Sequence, residues 1–154
     1  MGEVSHKIDF QHNLNLEKFV REQGMTQAAC VQALYALTLA RMSRLNQIVI
    51  GNVRNGRSAL LAGIDRALGM FIETLPVFTE FNVEQTLGQW IHKQQIDQAE
   101  QNAYSHIGLS AIQAAAGWNA TPLFEAMYVY QNYPFDRTTQ TFGNLEILRM
   151  DGKD

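Results

Sequence analysis

The residues best equipped for chemistry are few and scattered. Histidine stands at His6, His12, His92 and His106, and the single cysteine is Cys30. No two of the histidines sit at a ligand spacing with a carboxylate or thiol partner, so no metal site is expected. His92 falls in a polar run with Gln89, Lys93, Gln94 and Gln98 and reads as a surface side chain. His106 stands beside an expected helix end and reads as partly buried. Cys30 lies inside an apolar helix, which suits a small core residue better than a thiolate nucleophile. There is no Gly-x-Ser-x-Gly elbow. Asn119-Ala120-Thr121 fits the glycosylation pattern, which carries no weight without a secretory signal.

One loop has the spacing of a phosphate cradle. Gly51 and Gly56 bracket four residues and are followed by Arg57-Ser58, after a β-branched run. In a Walker A loop the place of Arg57 belongs to a lysine, whose compact ammonium reaches the β- and γ-phosphates, and the two cations are not interchangeable there. Gly63 cuts short the helix whose N-terminus would receive the phosphate, and no later strand ends in a magnesium-binding aspartate. Nucleotide binding is set aside.

The aromatic cluster Phe124, Tyr128, Tyr130, Tyr133 and Phe135 is denser. Alternation puts Phe124, Tyr128 and Tyr130 on one face of a strand. Such a row is either core packing or the wall of a substrate tunnel.

The elements that must position these residues follow from periodicity. Val4 to Phe10 alternates and predicts a half-buried strand. Asn13 or Asn15 caps a short helix with Leu16, Phe19 and Val20 inside, ended by Gly24. Thr26 caps a second helix to about Ser43. It is apolar nearly all round and therefore central, with Arg41 and Arg44 near its C-terminal dipole. Gln47 to Ile50 predicts a buried strand, followed by a glycine-spaced turn from Gly51 to Ser58. Gly69 to Phe78 predicts a second extended element. Asn82 and Gln85 suggest a helix start, with a helix from Val83 to about Tyr104 burying Val83, Leu87, Trp90, Ile91 and Ala99. Leu109 to Ala116 is a short helix ended by Gly117. Leu123 to Tyr130 predicts a third strand, Asp136 to Gln140 a loop, and Phe142 to Met150 a last strand. Strands between long helices are the grammar of an α/β layer structure.

Composition narrows the class. The chain has 154 residues, 46% of them hydrophobic, which suits one domain with a real core. A net charge of −3 gives no basic field for nucleic acid. One cysteine allows no internal disulfide. The segment from Met1 to Phe10 lacks the apolar centre of a signal peptide, and no apolar run approaches the roughly 20 residues that span a bilayer. A cytoplasmic, non-membrane protein is expected.

Four segments in order carry a resemblance. Gly24-Met25-Thr26 precedes the alanine-rich helix. Val49-Ile50-Gly51 comes next, with Asn55-Gly56-Arg57 behind it. Leu68 to Val77 resembles a Gly-x-Phe-(Val/Ile)-Asn-Thr-x-x-x-Arg motif, and Thr121 to Pro134 resembles a later core motif. Together they resemble the condensation domains of non-ribosomal peptide synthetases, from about Val4 to Pro134. That resemblance implies an α/β fold, a mixed β-sheet with helices packed on it, forming one lobe of a CoA-dependent, chloramphenicol-acetyltransferase-like pair. Residues 1–154 correspond to the C-terminal lobe. The family's His-His-x-x-x-Asp-Gly motif belongs to the N-terminal lobe and has no match here, so the chain holds no catalytic residue of its own and is expected to be inactive alone.

In the family, a carrier-bound amine attacks a carrier-bound thioester, and the second lobe forms half of the tunnel for the two phosphopantetheine arms. The resemblance implies tunnel positions at Glu73, Thr74, Tyr128, Tyr130 and Asn132. Arg57 is either the partner of the missing motif's aspartate or an exposed loop arginine. The chain departs from the motif at Glu73, where the family has asparagine, and at Phe78, where it has arginine. A histidine-containing motif is reduced to Tyr104 to Leu109. The expected partners are an N-terminal lobe and carrier proteins, with a homodimer through an exposed lobe face as a further expectation. No cofactor is bound directly. Alternatives are a coenzyme A acyltransferase or epimerisation domain of the same superfamily, or a non-catalytic interaction module.

Overall fold

An aspartate opens the first helix. In this computed structural model, which describes residues 2–57, 63–118, 121–132, 141–142 and 145–146, the Asp9 carboxylate accepts the N–H of His12 at 2.8 Å. It thereby caps α1, Phe10–Glu22. The strand expected from Val4 to Phe10 does not form. Residues 2–9 are irregular and exposed; among the described residues no neighbouring strand pairs with them or buries Val4 or Ile8. Asn13 and Asn15 lie inside α1 and cap nothing; the Asn13 amide donates to Glu17 one turn on. Gly24, at φ +64, does end the helix as expected.

The Thr26 hydroxyl accepts the Ala29 N–H at 3.2 Å and starts α2, Gln27–Ser43. Ala29, Cys30, Ala33, Ala36 and Ala40 recur at helical spacing and are buried. Their small side chains let neighbouring elements approach closely. The helix is covered on most faces, as its composition suggested; the exception is an exposed stripe of Leu34, Thr38 and Met42, four residues apart, along its back.

β1, Gln47–Asn55, pairs antiparallel with β2, Ile72–Glu80, and parallel with β3, Met127–Val129, giving the order β2-β1-β3. The expected turn at Gly51 to Ser58 is strand as far as Asn55. Gly51 serves close approach rather than turning: the Phe124 ring occupies the space a Cβ there would need. β3 is shorter than the expected Leu123 to Tyr130, since 123–126 cross onto the sheet and seat Phe124 on Gly51 before pairing begins. β2 starts at Ile72 rather than Gly69.

Register sorts the sheet into two faces. Ile48, Ile50, Asn52 and Arg54 lie opposite Thr79, Val77, Leu75 and Glu73, with Tyr128 beside Asn52. This face packs beneath α2, where Ala36, Ile50, Val77 and Tyr128 form one core cluster and the Tyr35 and Tyr128 rings stand 5.9 Å apart. The other face carries Val49, Val53, Phe78, Met127 and Val129. The Phe124 ring covers it at Gly51, while Phe78, Met127 and Val129 remain 53%, 60% and 50% exposed.

α3, Leu87–Gln101, starts at Thr86, not near Asn82. Thr86 and Gln89 satisfy each other's backbone N–H groups reciprocally, while Asn82 closes a local turn by accepting the Glu84 N–H. Val20, Met25, Cys30, Ala33, Trp90 and Ile91 form a second core cluster between α1, α2 and α3. The Trp90 indole donates to the Glu80 carbonyl at 2.9 Å and tilts against Phe81 at 4.7 Å. Val83, Leu87 and Ala99, expected inside, are exposed. Gln94, expected outside, is buried and accepts the Thr79 hydroxyl at 3.2 Å.

α4, Leu109–Ala115, ends before Gly117 at φ +75. His106 is exposed, not partly buried, because it falls in the turn ahead of α4. β4, Thr141–Phe142, and β5, Leu145–Glu146, pair with each other and overlap the start of the expected last strand. Its remainder, the loop at Asp136 to Gln140, and Tyr133 and Phe135 lie outside the described residues.

Candidate functional site

Strand direction gathers most of the expected tunnel residues at one end of the sheet. β1 and β3 run the same way and β2 the opposite way, so the ends of β1 and β3 share an edge with the start of β2. Two hydroxyls bring the N-terminal turn of α2 to that edge. Tyr128 donates to the Ala28 carbonyl at 3.1 Å and Tyr130 to the Gln27 side-chain oxygen at 3.2 Å.

Tyr128 is buried, and desolvation, with a smaller electrostatic push from Tyr130 and Cys30, raises its phenol well above the ordinary tyrosine value. It is a neutral donor. Tyr130 and Asn132 are exposed beyond β3. Thr74 lies opposite Val53, on the other face of the sheet from Glu73 and Tyr128. The expected set is therefore split between two faces of one edge.

Glu73 is not a free carboxylate. Its Oε1 lies 3.2 Å from Nη2 of Arg54, directly across the ladder, and the two side chains are 22% and 20% exposed. Sequence reasoning missed Arg54. The signal that could have found it is opposite charge at matched positions, which shows only once β1 and β2 are paired in register. Gly56 completes the corner: its N–H donates to the Phe71 carbonyl at 2.6 Å, and a Cβ there would press on that oxygen and stand 3.1 Å from Glu73.

Arg57 is not an exposed loop arginine either. Its Nη1 donates to the carbonyls of Ile64 and, at 3.0 Å, Ala67, and its guanidinium carbon lies 4.3 Å over the Phe71 ring. It clamps the segment before β2 onto the end of β1.

Among the described residues no acid–base pair meets these side chains. All four histidines are exposed. His12 contacts Asp9 at 2.5 Å as part of the α1 cap, where the backbone N–H and ring of His12 hold the Asp9 carboxyl below its usual value. Cys30 is buried and desolvation raises its thiol, the core role expected of it. Among the described residues no cluster could hold a metal ion, and no helix is long and apolar enough to cross a membrane.

The fold matches solved condensation domains. The chain superposes on the holo form of a four-domain nonribosomal peptide synthetase bound to AMP and glycine with a TM-score of 0.75, at 19% identity, covering 84% of this chain and 10% of that one. It superposes on the condensation domain from the monacolin K polyketide synthase MokA with a TM-score of 0.68, at 19% identity, covering 79% of this chain and 29% of that one. The expected mixed sheet of a chloramphenicol-acetyltransferase-like fold is thereby borne out. In sequence, the chain is 34% identical over 138 residues to a linear gramicidin synthase of Brevibacillus parabrevis, covering 87% of this chain and 2% of that protein. It is 32% identical over 134 residues to chondramide synthase cmdD of Chondromyces crocatus, covering 84% and 3% respectively.

The condensation-domain model matches residues 1–152, and the chain belongs to that family. It spans only a few hundredths of the length of these curated relatives.

Proposed function

We propose that residues 1–154 act as the C-terminal lobe of a condensation domain that forms amide bonds between carrier-bound aminoacyl or peptidyl thioesters. An amine nitrogen attacks the thioester carbonyl, the carbon–sulfur bond breaks, and the amine's proton leaves to a base while the thiol departs on its phosphopantetheine arm. The base belongs to the partner lobe. This chain supplies positioning, in the form of a wall at the edge where Glu73, Tyr130 and Asn132 gather. Arg57 braces that wall and meets the aspartate of the partner's motif with its remaining donors. The carrier proteins and their phosphopantetheine arms are partners in this reading, and the site of action is the cytoplasm.

The observation that carries the reading is that Glu73, Tyr130 and Asn132 lie at one end of the sheet, in a chain of this family whose histidines are all exposed and unassembled. The exposed Phe78, Met127 and Val129 give a covering body, a second lobe or a second copy, a surface to occupy.

Reconstitution tests it. The chain is mixed with a separately expressed N-terminal lobe bearing His-His-x-x-x-Asp-Gly and with loaded donor and acceptor carrier proteins, and intact-protein mass spectrometry follows the acceptor. Dipeptidyl product should form only when both lobes are present. Product from this chain alone, or none from any pairing of lobes that associate, refutes the reading.

A further inference from the structure

At the other end of the lobe, the last turns of α2 and the start of α3 border a cavity of about 520 Å³. Its floor is apolar, built from Leu37, Ala40, Phe81 and Trp90, and no carboxylate lines it. Arg41 and Arg44 also line it, and neither guanidinium has an ion-pair partner among the described residues. Arg44 is the C-cap of α2 at φ +57, the only described residue other than glycine with positive φ. Glycine fills such a cap without steric cost, so an arginine held there points to use of its charge.

The surroundings decide what kind of ligand fits. Leu45, Val83 and Leu87 line the same cavity and are 56%, 97% and 48% exposed. A small molecule filling the floor leaves those side chains wet. A chain segment lying along the groove covers them and sets its acids against the two guanidiniums. We propose that this groove docks an acidic amphipathic segment of a partner protein, with one apolar anchor seated on Trp90 and carboxylates on Arg41 and Arg44. The site is remote from the Glu73 edge and stands independently of the tunnel reading.

The test uses the full chain carrying Trp118→Phe, so that Trp90 alone reports by fluorescence. Two fifteen-residue probes share leucines at i, i+3, i+4 and i+7 and differ in carrying glutamate or lysine elsewhere; octanoate is a third probe. The glutamate peptide should bind at least about tenfold tighter than the lysine peptide and weaken with added salt. Arg44→Gly should weaken it about tenfold while unfolding no earlier than the parent, since glycine suits the cap. Arg41→Gln checks the second cation independently. Equal binding of both peptides, or unchanged binding by Arg44→Gly and Arg41→Gln, overturns the proposal. Octanoate that displaces the glutamate peptide with the same arginine dependence also overturns it, in favour of a small-carboxylate site.

Discussion

Glu73 and Arg54 face each other across the β1–β2 ladder, 3.2 Å apart and only about a fifth exposed. The family motif places a neutral amide at Glu73, and the structure supplies the compensating cation on the adjacent strand. Removing one partner leaves a partly buried charge alone. Glu73→Gln and Arg54→Met should each cost about 1–3 kcal/mol, between the exposed and the fully buried limits. The double variant should cost less than the sum. Urea unfolding in a double-mutant cycle measures the coupling, and additive costs would mean the pair contributes nothing.

Gly51→Ala tests close approach. The new methyl meets the Phe124 ring, so the variant should lose about 1–3 kcal/mol. Phe124→Leu in the same chain should recover part of that loss, as read by thermal unfolding.

Arg57 clamps two carbonyls and stacks on Phe71. Arg57→Lys keeps charge but loses the planar fork, so it should behave more like Arg57→Met than like wild type. Amide hydrogen exchange at Gly56, which is held by the Phe71 carbonyl, should quicken in both.

Alkaline pH should destabilise the fold. The phenol of Tyr128 and the thiol of Cys30 both have folded pKa values raised above their ordinary ones by burial. Each neutral form is favoured by folding, so stability is full below the unfolded values and falls as pH climbs past them. The decline should begin near pH 9, the ordinary thiol value, and steepen past 10, the ordinary phenol value. Tyr128→Phe should cost about 1 kcal/mol at neutral pH through the lost bond to Ala28, and should flatten the fall above pH 10. Cys30→Ala should remove the earlier part.

Local signals were legible where one short segment carries its own instruction. Thr26 as cap, Gly24 and Gly117 as stops, and the span of α2 follow from neighbours within one turn. The start of α3 was misplaced at Asn82 and Gln85, because the box that closes reciprocally, Thr86 with Gln89, stands four residues further on and went unread. Alternation from Val4 to Phe10 misled because a strand needs a neighbour that sequence cannot place. Gly51 read as a turn because the ring that requires a glycine there comes from Phe124, far along the chain. The site follows the same division. Glu73, Tyr128 and Arg57 stood out through motif resemblance, whereas Arg54 and Gln27 matter only through pairings that the fold creates.

The parallel pairing of β1 with β3 carries a cost during synthesis. β1 is complete at Asn55, yet the strand that covers its second edge ends at Val129. Throughout the intervening elongation a nascent chain displays a bare, β-branched ladder edge. That interval is when illicit pairing with a neighbouring polypeptide has its best opportunity.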